Sequence, residues 1–154
     1  DYRTENLNSR ETFFISNSSV SSLKIKDIYE KIIEGHIPKD ETISIKKRDF
    51  VIRKLANRVA WFQFEQLCGG HIGAEDYLEM IKYTDQIIIE NVPIFNNANA
   101  NMQERFINLI DVLYDNKIQI IISSVREIEK LGSAFYLKDK FQRTVSRLIE
   151  MRSK

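Results

Sequence analysis

Two apolar runs, Gln86-Ile87-Ile88-Ile89-Glu90 and Ile118-Gln119-Ile120-Ile121-Ile122-Ser123-Ser124, constrain the fold of this chain more than any other feature. A strand that is apolar on both faces is stable only where both faces are covered, as in a parallel sheet between helices. Between the runs, over residues 100–116, Met102, Phe106, Leu109, Ile110 and Leu113 recur at helical spacing, with Ile107 and Tyr114 beside them. Strand, helix and strand make a βαβ unit over residues 86–124, whose crossover is expected to be right-handed. The predicted class is therefore α/β, built on parallel buried strands, with an N-terminal helix and a β-hairpin as extensions.

Residues 1–22 are rich in Ser, Asn and Thr and read as loop-like, apart from Phe13-Phe14-Ile15, a candidate edge strand. Leu23, Ile25, Ile28, Tyr29, Ile32 and Ile33 define an amphipathic helix over 23–34 that Gly35 and Pro38 stop. The period then changes to two, predicting a hairpin over 42–55 with Lys46-Lys47-Arg48-Asp49 as its turn. Residues 59–68 read as a strand entering a turn at Gly69-Gly70. Gly73 then opens a helix whose Glu75 and Asp76 sit at the positive end of the helix dipole, with Tyr77, Leu78, Met80 and Ile81 facing inward. A short helix near 126–131, a break at Gly132 and a terminal helix over 138–152 complete the chain. Phe141, Val145 and Leu148 form the apolar stripe of that last helix, with Ile149 or Met151.

With 154 residues, 43% of them apolar, the chain is long enough for one core, and it reads as a single α/β region over 1–154. One cysteine excludes an intramolecular disulfide framework and points to a reducing compartment. No apolar run is long enough to cross a membrane as a helix. The net charge of +1 argues against generic nucleic-acid binding, but the charge is segregated. Residues 1–60 carry 12 basic and 9 acidic side chains, 61–116 carry 2 and 9, and 117–154 carry 9 and 4. Such blocks mark either docking within the molecule or separate sites for charged partners.

No GxxxxGK[ST] or GxGxxG motif is present, so the residues here offer no phosphate-cradling loop. His36, His71 and Cys68 match no zinc spacing, and no GxSxG elbow occurs. Three positions carry possible chemistry. Glu90 ends a buried strand, where open α/β sheets place ligands, and Ser123-Ser124 ends its neighbour. Arg143 and Arg147 share one helical face and have the planar forks that suit phosphate oxygens. Each has a structural alternative: a loop-capping acid, a strand-ending Ser pair, and a salt-bridging or solvated Arg pair. The basic hairpin residues Lys46, Lys47, Arg48, Arg53, Lys54 and Arg58 have only Phe50 among them, a weak pattern for single-stranded nucleic acid.

The blocks Val59-Ala60-Trp61-Phe62-Gln63-Phe64-Glu65-Gln66-Leu67-Cys68 and Gly73-Ala74-Glu75-Asp76-Tyr77-Leu78 resemble the C-terminal half of the ZapE cell-division ATPases and their mitochondrial relatives, a P-loop, AAA+-like family. Asn91-Val92-Pro93, Arg105-Phe106-Ile107 through Leu113-Tyr114-Asp115, and Phe141-Gln142-Arg143-Thr144-Val145-Ser146-Arg147-Leu148-Ile149-Glu150-Met151 agree in order and spacing. The opening Asp1-Tyr2-Arg3 resembles the join to the family's ATPase core. Glu90-Asn91 departs from the family's usual Ser-Asp, and Arg126-Glu127-Ile128 from its small and proline residues.

The resemblance implies the C-terminal part of a P-loop NTPase fold, downstream of a core that binds ATP and Mg2+, in a segment that alone binds neither and does not hydrolyse ATP. It implies coupling of ATP hydrolysis to cell division or protein quality control, with the upstream core, FtsZ or other division proteins, or further copies of the chain as partners. The location it implies is the bacterial cytoplasm or the mitochondrion. Arg143 and Arg147 are then candidate phosphate-contacting arginines. The alternatives are a protein-interaction module and a decayed fragment. Independently of the family, residues 86–124 have the layout of a Walker B to sensor half-domain, which requires strands 86–90 and 118–123 to be adjacent and parallel.

Overall fold

A computed structural model describes residues 12–16 and 19–152. Along the chain run β1 (Phe13–Ile15), α1 (Ser19–Ile32), β2 (Lys39–Ile45), β3 (Arg48–Leu55), β4 (Val59–Gln63), α2 (Phe64–Cys68), α3 (Ala74–Met80), β5 (Gln86–Val92), α4 (Ala100–Asp115), β6 (Gln119–Ser124) and α5 (Lys138–Arg152). Single 3-10 turns at Asn97–Asn99, Ile128–Lys130 and Phe135–Leu137 shape the loops before α4 and α5.

The main sheet is wholly parallel, in the order β1-β6-β5-β4, and β2 and β3 pair separately as an antiparallel hairpin. Ile87 lies opposite Ile120 and Ile89 opposite Ile122, so the two apolar runs are adjacent and parallel, as the half-domain layout requires. Period-two alternation sorts their side chains. Ile87, Ile89, Ile120 and Ile122 join Ala60 and Phe62 on the face covered by α2 to α5. Ile88 and Ile121 join Phe14 and Val59 on the face covered by Ile25 and Tyr29 of α1 and by Ile33 just after it. The connections β4 to β5 and β5 to β6 step one way across the sheet and lay their helices on the first face. The connection from β1 to β4 steps the other way and lays α1 on the second, as a uniform crossover hand demands. Strands whose outgoing connections take opposite faces meet at β1 and β6, a topological switch of the kind beside which doubly wound sheets bind ligands.

Local chemistry explains where the elements depart from the sequence reading. The hairpin turn has two residues, not four: Lys46 and Lys47 both take positive φ (48° and 69°), the primed geometry whose twist matches the strands. Lysine there lacks the Asn-Gly signal that announces such turns. After β4 the chain enters a helix rather than a turn. Phe64, Leu67 and Cys68 fall at i, i+3 and i+4 and are buried, and the Gln66 side chain accepts from the Gln63 N–H at 2.8 Å to close the helix start. Helix α1 begins at Ser19, inside the stretch read as loop-like, and Leu23 is 63% exposed rather than on its apolar stripe. Leu78, expected inside, is 48% exposed, because Tyr77 and Met80 already fill the face of the short α3. The expected helix near 126–131 is the single turn Ile128–Lys130. Gly132 follows at φ 76°, where a Cβ would come within 2.9 Å of the Phe95 carbonyl oxygen. The join expected at residues 1–3 lies outside the described residues.

The charge blocks meet each other. Arg48 forks onto Asp76 at 2.5 and 3.0 Å, Lys46 reaches Glu75 at 2.6 Å, and Arg58 reaches Asp85 at 3.0 Å. The basic hairpin is thus docked on the acidic middle of the chain. Asp76 is fully buried and its Oδ2 also accepts from the Gly73 N–H at 2.8 Å, so this carboxylate caps α3 as well as holding the hairpin.

Candidate functional site

Trp61 and Gln63 on β4, Glu90 on β5 and Ser123 on β6 have the parity of the α1 face, with Trp61 at the middle of its strand and the other three towards the carboxyl ends of theirs. Gln63 stands directly opposite Glu90. Glu90 is 6% exposed and accepts from Trp61 Nε1 at 2.6 Å, Gln63 Nε2 at 3.3 Å and, from the first turns of α1, Ser22 Oγ at 3.3 Å. Among the described residues no cation contacts it. Three neutral donors supply the hydrogen bonds that a buried polar group requires.

Around it the network continues. The register of β5 against β6 shifts between Ile89 and Val92, where Asn91 takes a φ of 66°. This bulge lets the Asn91 N–H reach Ser123 Oγ at 2.9 Å and its side-chain amide reach Gln63 Oε1 at 2.5 Å. Trp61 lies at 4.9 Å from the Tyr29 ring, with Lys54 Nζ 4.4 Å above its centroid, so the indole links a cation on the hairpin to the carboxylate on β5. The Tyr29 hydroxyl donates to the Lys54 carbonyl, and burial pushes its pKa up to about 12.

The residues singled out in the sequence do not converge on one centre. Ser123 belongs to the Glu90 network, but Ser124 has the opposite parity and donates to the Arg126 carbonyl at 2.6 Å. Arg147 bonds Asp111 on α4 and lies 5.3 Å from the Tyr114 ring centroid, and Tyr114 in turn donates to Glu150 at 2.8 Å. Arg143, one turn earlier, is exposed with no ion-pair partner among the described residues. Cys68 is fully buried and His71 exposed, and no group of three metal-liganding side chains occurs among the described residues. Burial drives the Cys68 thiol up to about 12, which makes it inert.

Sequence reasoning missed Trp61, Gln63 and Ser22 as partners of Glu90, and Asn91 as the residue that ties Gln63 to Ser123. Alternation alone puts Trp61 and Gln63 on one face of β4, but only the β4–β5 register and the bulge at Asn91 bring them to the acid. Every donor near Glu90 is already bound to the protein, so its carboxylate works as an anchor between α1, β4 and β5 rather than as a free base. These residues do not fit a magnesium–nucleotide site.

A parallel sheet with helices on both faces and a buried acid at a strand's carboxyl end is an α/β segment consistent with the P-loop NTPase fold. The family model for AFG1-like ATPases matches residues 1–154, and the chain belongs to that family. It is 22% identical over 153 residues to the cell division protein ZapE of Escherichia coli, covering 99% of this chain and 41% of that one. Lactation elevated protein 1 homolog B of Danio rerio is 24% identical over 134 residues, covering 85% of this chain and 27% of its own length. An uncharacterized protein of Schizosaccharomyces pombe is 32% identical over 91 residues, 59% of this chain and 20% of that one. The chain thus spans between a fifth and about two fifths of these relatives. No solved structure matches it.

Proposed function

We propose that this chain works as the C-terminal part of an AFG1-like ATPase, beside a core that carries the phosphate loop and binds ATP and Mg2+. The observation that carries the reading is the family match over residues 1–154, joined to a sheet of the expected class that lacks its own phosphate loop. Of the two candidate arginines, Arg143 is the one whose guanidinium is available, since Arg147 is bonded to Asp111. We assign Arg143 to nucleotide phosphate contact and Arg147 to holding α5 on α4. An arginine aimed at the transferring phosphoryl group contributes roughly 10³-fold or more in rate. In an ATPase containing this chain and a phosphate-loop core, Arg143→Ala is expected to lower turnover by that order and Arg147→Ala far less. Unchanged turnover in both variants rejects the assignment.

The name of the bacterial relative supports a role in cell division, and the resemblance in the sequence supports the bacterial cytoplasm with FtsZ as a partner, or protein quality control in the mitochondrion for a eukaryotic member. A second reading, a module that binds protein partners without catalysis, is favoured by the closed state of Glu90. Retention of FtsZ by the chain alone, with turnover indifferent to Arg143, would select it.

A further inference from the structure

The exposed large apolar side chains are unevenly placed. Val20 (56% exposed) and Leu23 (63%) project from the first turns of α1, which start at the carboxyl end of β1. Ile94 (42%) follows β5, and Phe135 (78%) and Tyr136 (64%) follow β6. All five flank the end of the sheet where Glu90 is anchored. Loose packing does not explain the exposure of Phe135. Its N–H donates to Asn97 Oδ1 at 2.8 Å, the next side chain donates from Tyr136 Oη to Glu104 at 2.5 Å, and Leu137 is buried. Beside this turn Lys140 and Arg143 carry no ion pair among the described residues, and Lys138 Nζ lies 5.9 Å from the Phe135 ring centroid. An apolar centre with a polar, charged rim is the anatomy of a protein interface.

We propose that the carboxyl end of the sheet is the docking face for the nucleotide-binding core of an AFG1-like ATPase, an inference that rests on the functional reading above. The occupant follows from three observations. The family is one of ATPases, the residues here hold no phosphate loop, and the matched part of the E. coli relative is 41% of its length, so more than half of that relative lies outside the matched part. A second copy of the chain fits less well, because a two-fold contact through this face would bring the unpaired cations of both copies together. Docking here also sets Arg143 at the rim of the interface, where it can reach across to a phosphate.

The test is hydroxyl-radical footprinting of the isolated chain and of a hybrid in which it replaces the matched 153 residues of the E. coli protein. Labelling of Phe135, Tyr136 and Leu23 is expected to fall at least about fivefold in the hybrid, with Ile37 and Tyr83 unchanged as distant controls. Phe135→Ser and Leu23→Ser are expected to lower the hybrid's melting temperature by several degrees and leave that of the isolated chain nearly unmoved. Unchanged labelling while buried Phe62 and Tyr77 stay protected, two independent melting transitions, or equal effects of the substitutions on both proteins would overturn the proposal. So would protection of Phe135 that grows with concentration of the isolated chain, which would assign the face to a second copy. If Arg143→Ala leaves turnover unchanged while the footprint persists, the arginine assignment fails and the docking face stands.

Discussion

The two faces of the parallel sheet bury their side chains in different ways. On the face of α2 to α5 the core is broad and aromatic: Phe64, Phe95, Phe106 and Phe141 pack in tilted and edge-on pairs with ring centroids 5.4 to 6.5 Å apart, and the hairpin residues Phe50 and Ile52 extend it. Even its buried amide, Gln103, is satisfied by the Ala134 N–H and Ser133 Oγ at 2.9 Å each. On the α1 face eight buried residues make a smaller cluster, edged by Trp61 and continuing into the polar network of Glu90. The first face is what a fold needs. The second gives up apolar area to hold a carboxylate, and such concessions concentrate where a protein functions.

The largest expected contrast is in packing. Phe106→Ala should cost about 4 kcal/mol in urea unfolding, since it opens a cavity among the three remaining rings, and Ile25→Ala on the α1 face about half as much. Equal losses would erase the distinction between a main core and a lesser one.

Alkaline titration probes the same difference. The buried Cys68 thiol is raised from 9.0 to about 12, and burial raises Tyr77 as well, both on the broad face; Tyr29 on the α1 face is raised from 10.0 to about 12. In each case the unfolded group loses its proton first, so stability is complete below about pH 9 and falls as pH climbs towards 12. Each group contributes at most about 1.4 kcal/mol per pH unit. Cys68→Ala should move the onset of the decline from about pH 9 to about pH 10, and stability that is flat to pH 11 would contradict this burial.

The two buried acids should then part company. Asp76→Asn removes the charge that Arg48 grips and is expected to cost about 2 kcal/mol. Glu90→Gln keeps an acceptor for Trp61 Nε1 and breaks no ion pair among the described residues, so it should change stability by less than about 1 kcal/mol. A larger loss from Glu90→Gln would show that its charge serves the fold. The smallest effect concerns the arginines: Arg147→Ala should cost about 0.5 kcal/mol through its half-exposed pair with Asp111, and Arg143→Ala nothing measurable by thermal melts.

Much of this was legible in order along the chain. Ile87 to Ile89 and Ile120 to Ile122 announced a sheet covered on both sides, and the stripe of α4 and the bounds of α5 followed from spacing. The charge blocks raised docking within the molecule, which Arg48 and Asp76 realise. The helix at Phe64 was hidden because Phe62 and Phe64 also suit an alternating strand, and the lysine turn because its positive φ values come from strand twist rather than residue preference. Of the candidate site, Glu90 and Ser123 were legible, each at the end of an apolar run. The partners of Glu90 come from β4 and α1, and distance along the chain carries no information about register.

By itself, the sequence determined a parallel α/β unit, the helices that close it and membership in a family of ATPases, because periodicity and family motifs are local properties of the chain. Tertiary structure alone decided that Glu90 is enclosed by Trp61, Gln63 and Ser22, that Arg147 is committed while Arg143 is not, and that Phe135 stands out at the end of the sheet. Those outcomes depend on strand register, a one-residue bulge at Asn91 and the parallel packing of α4 and α5, and each turns on contacts between residues far apart in sequence.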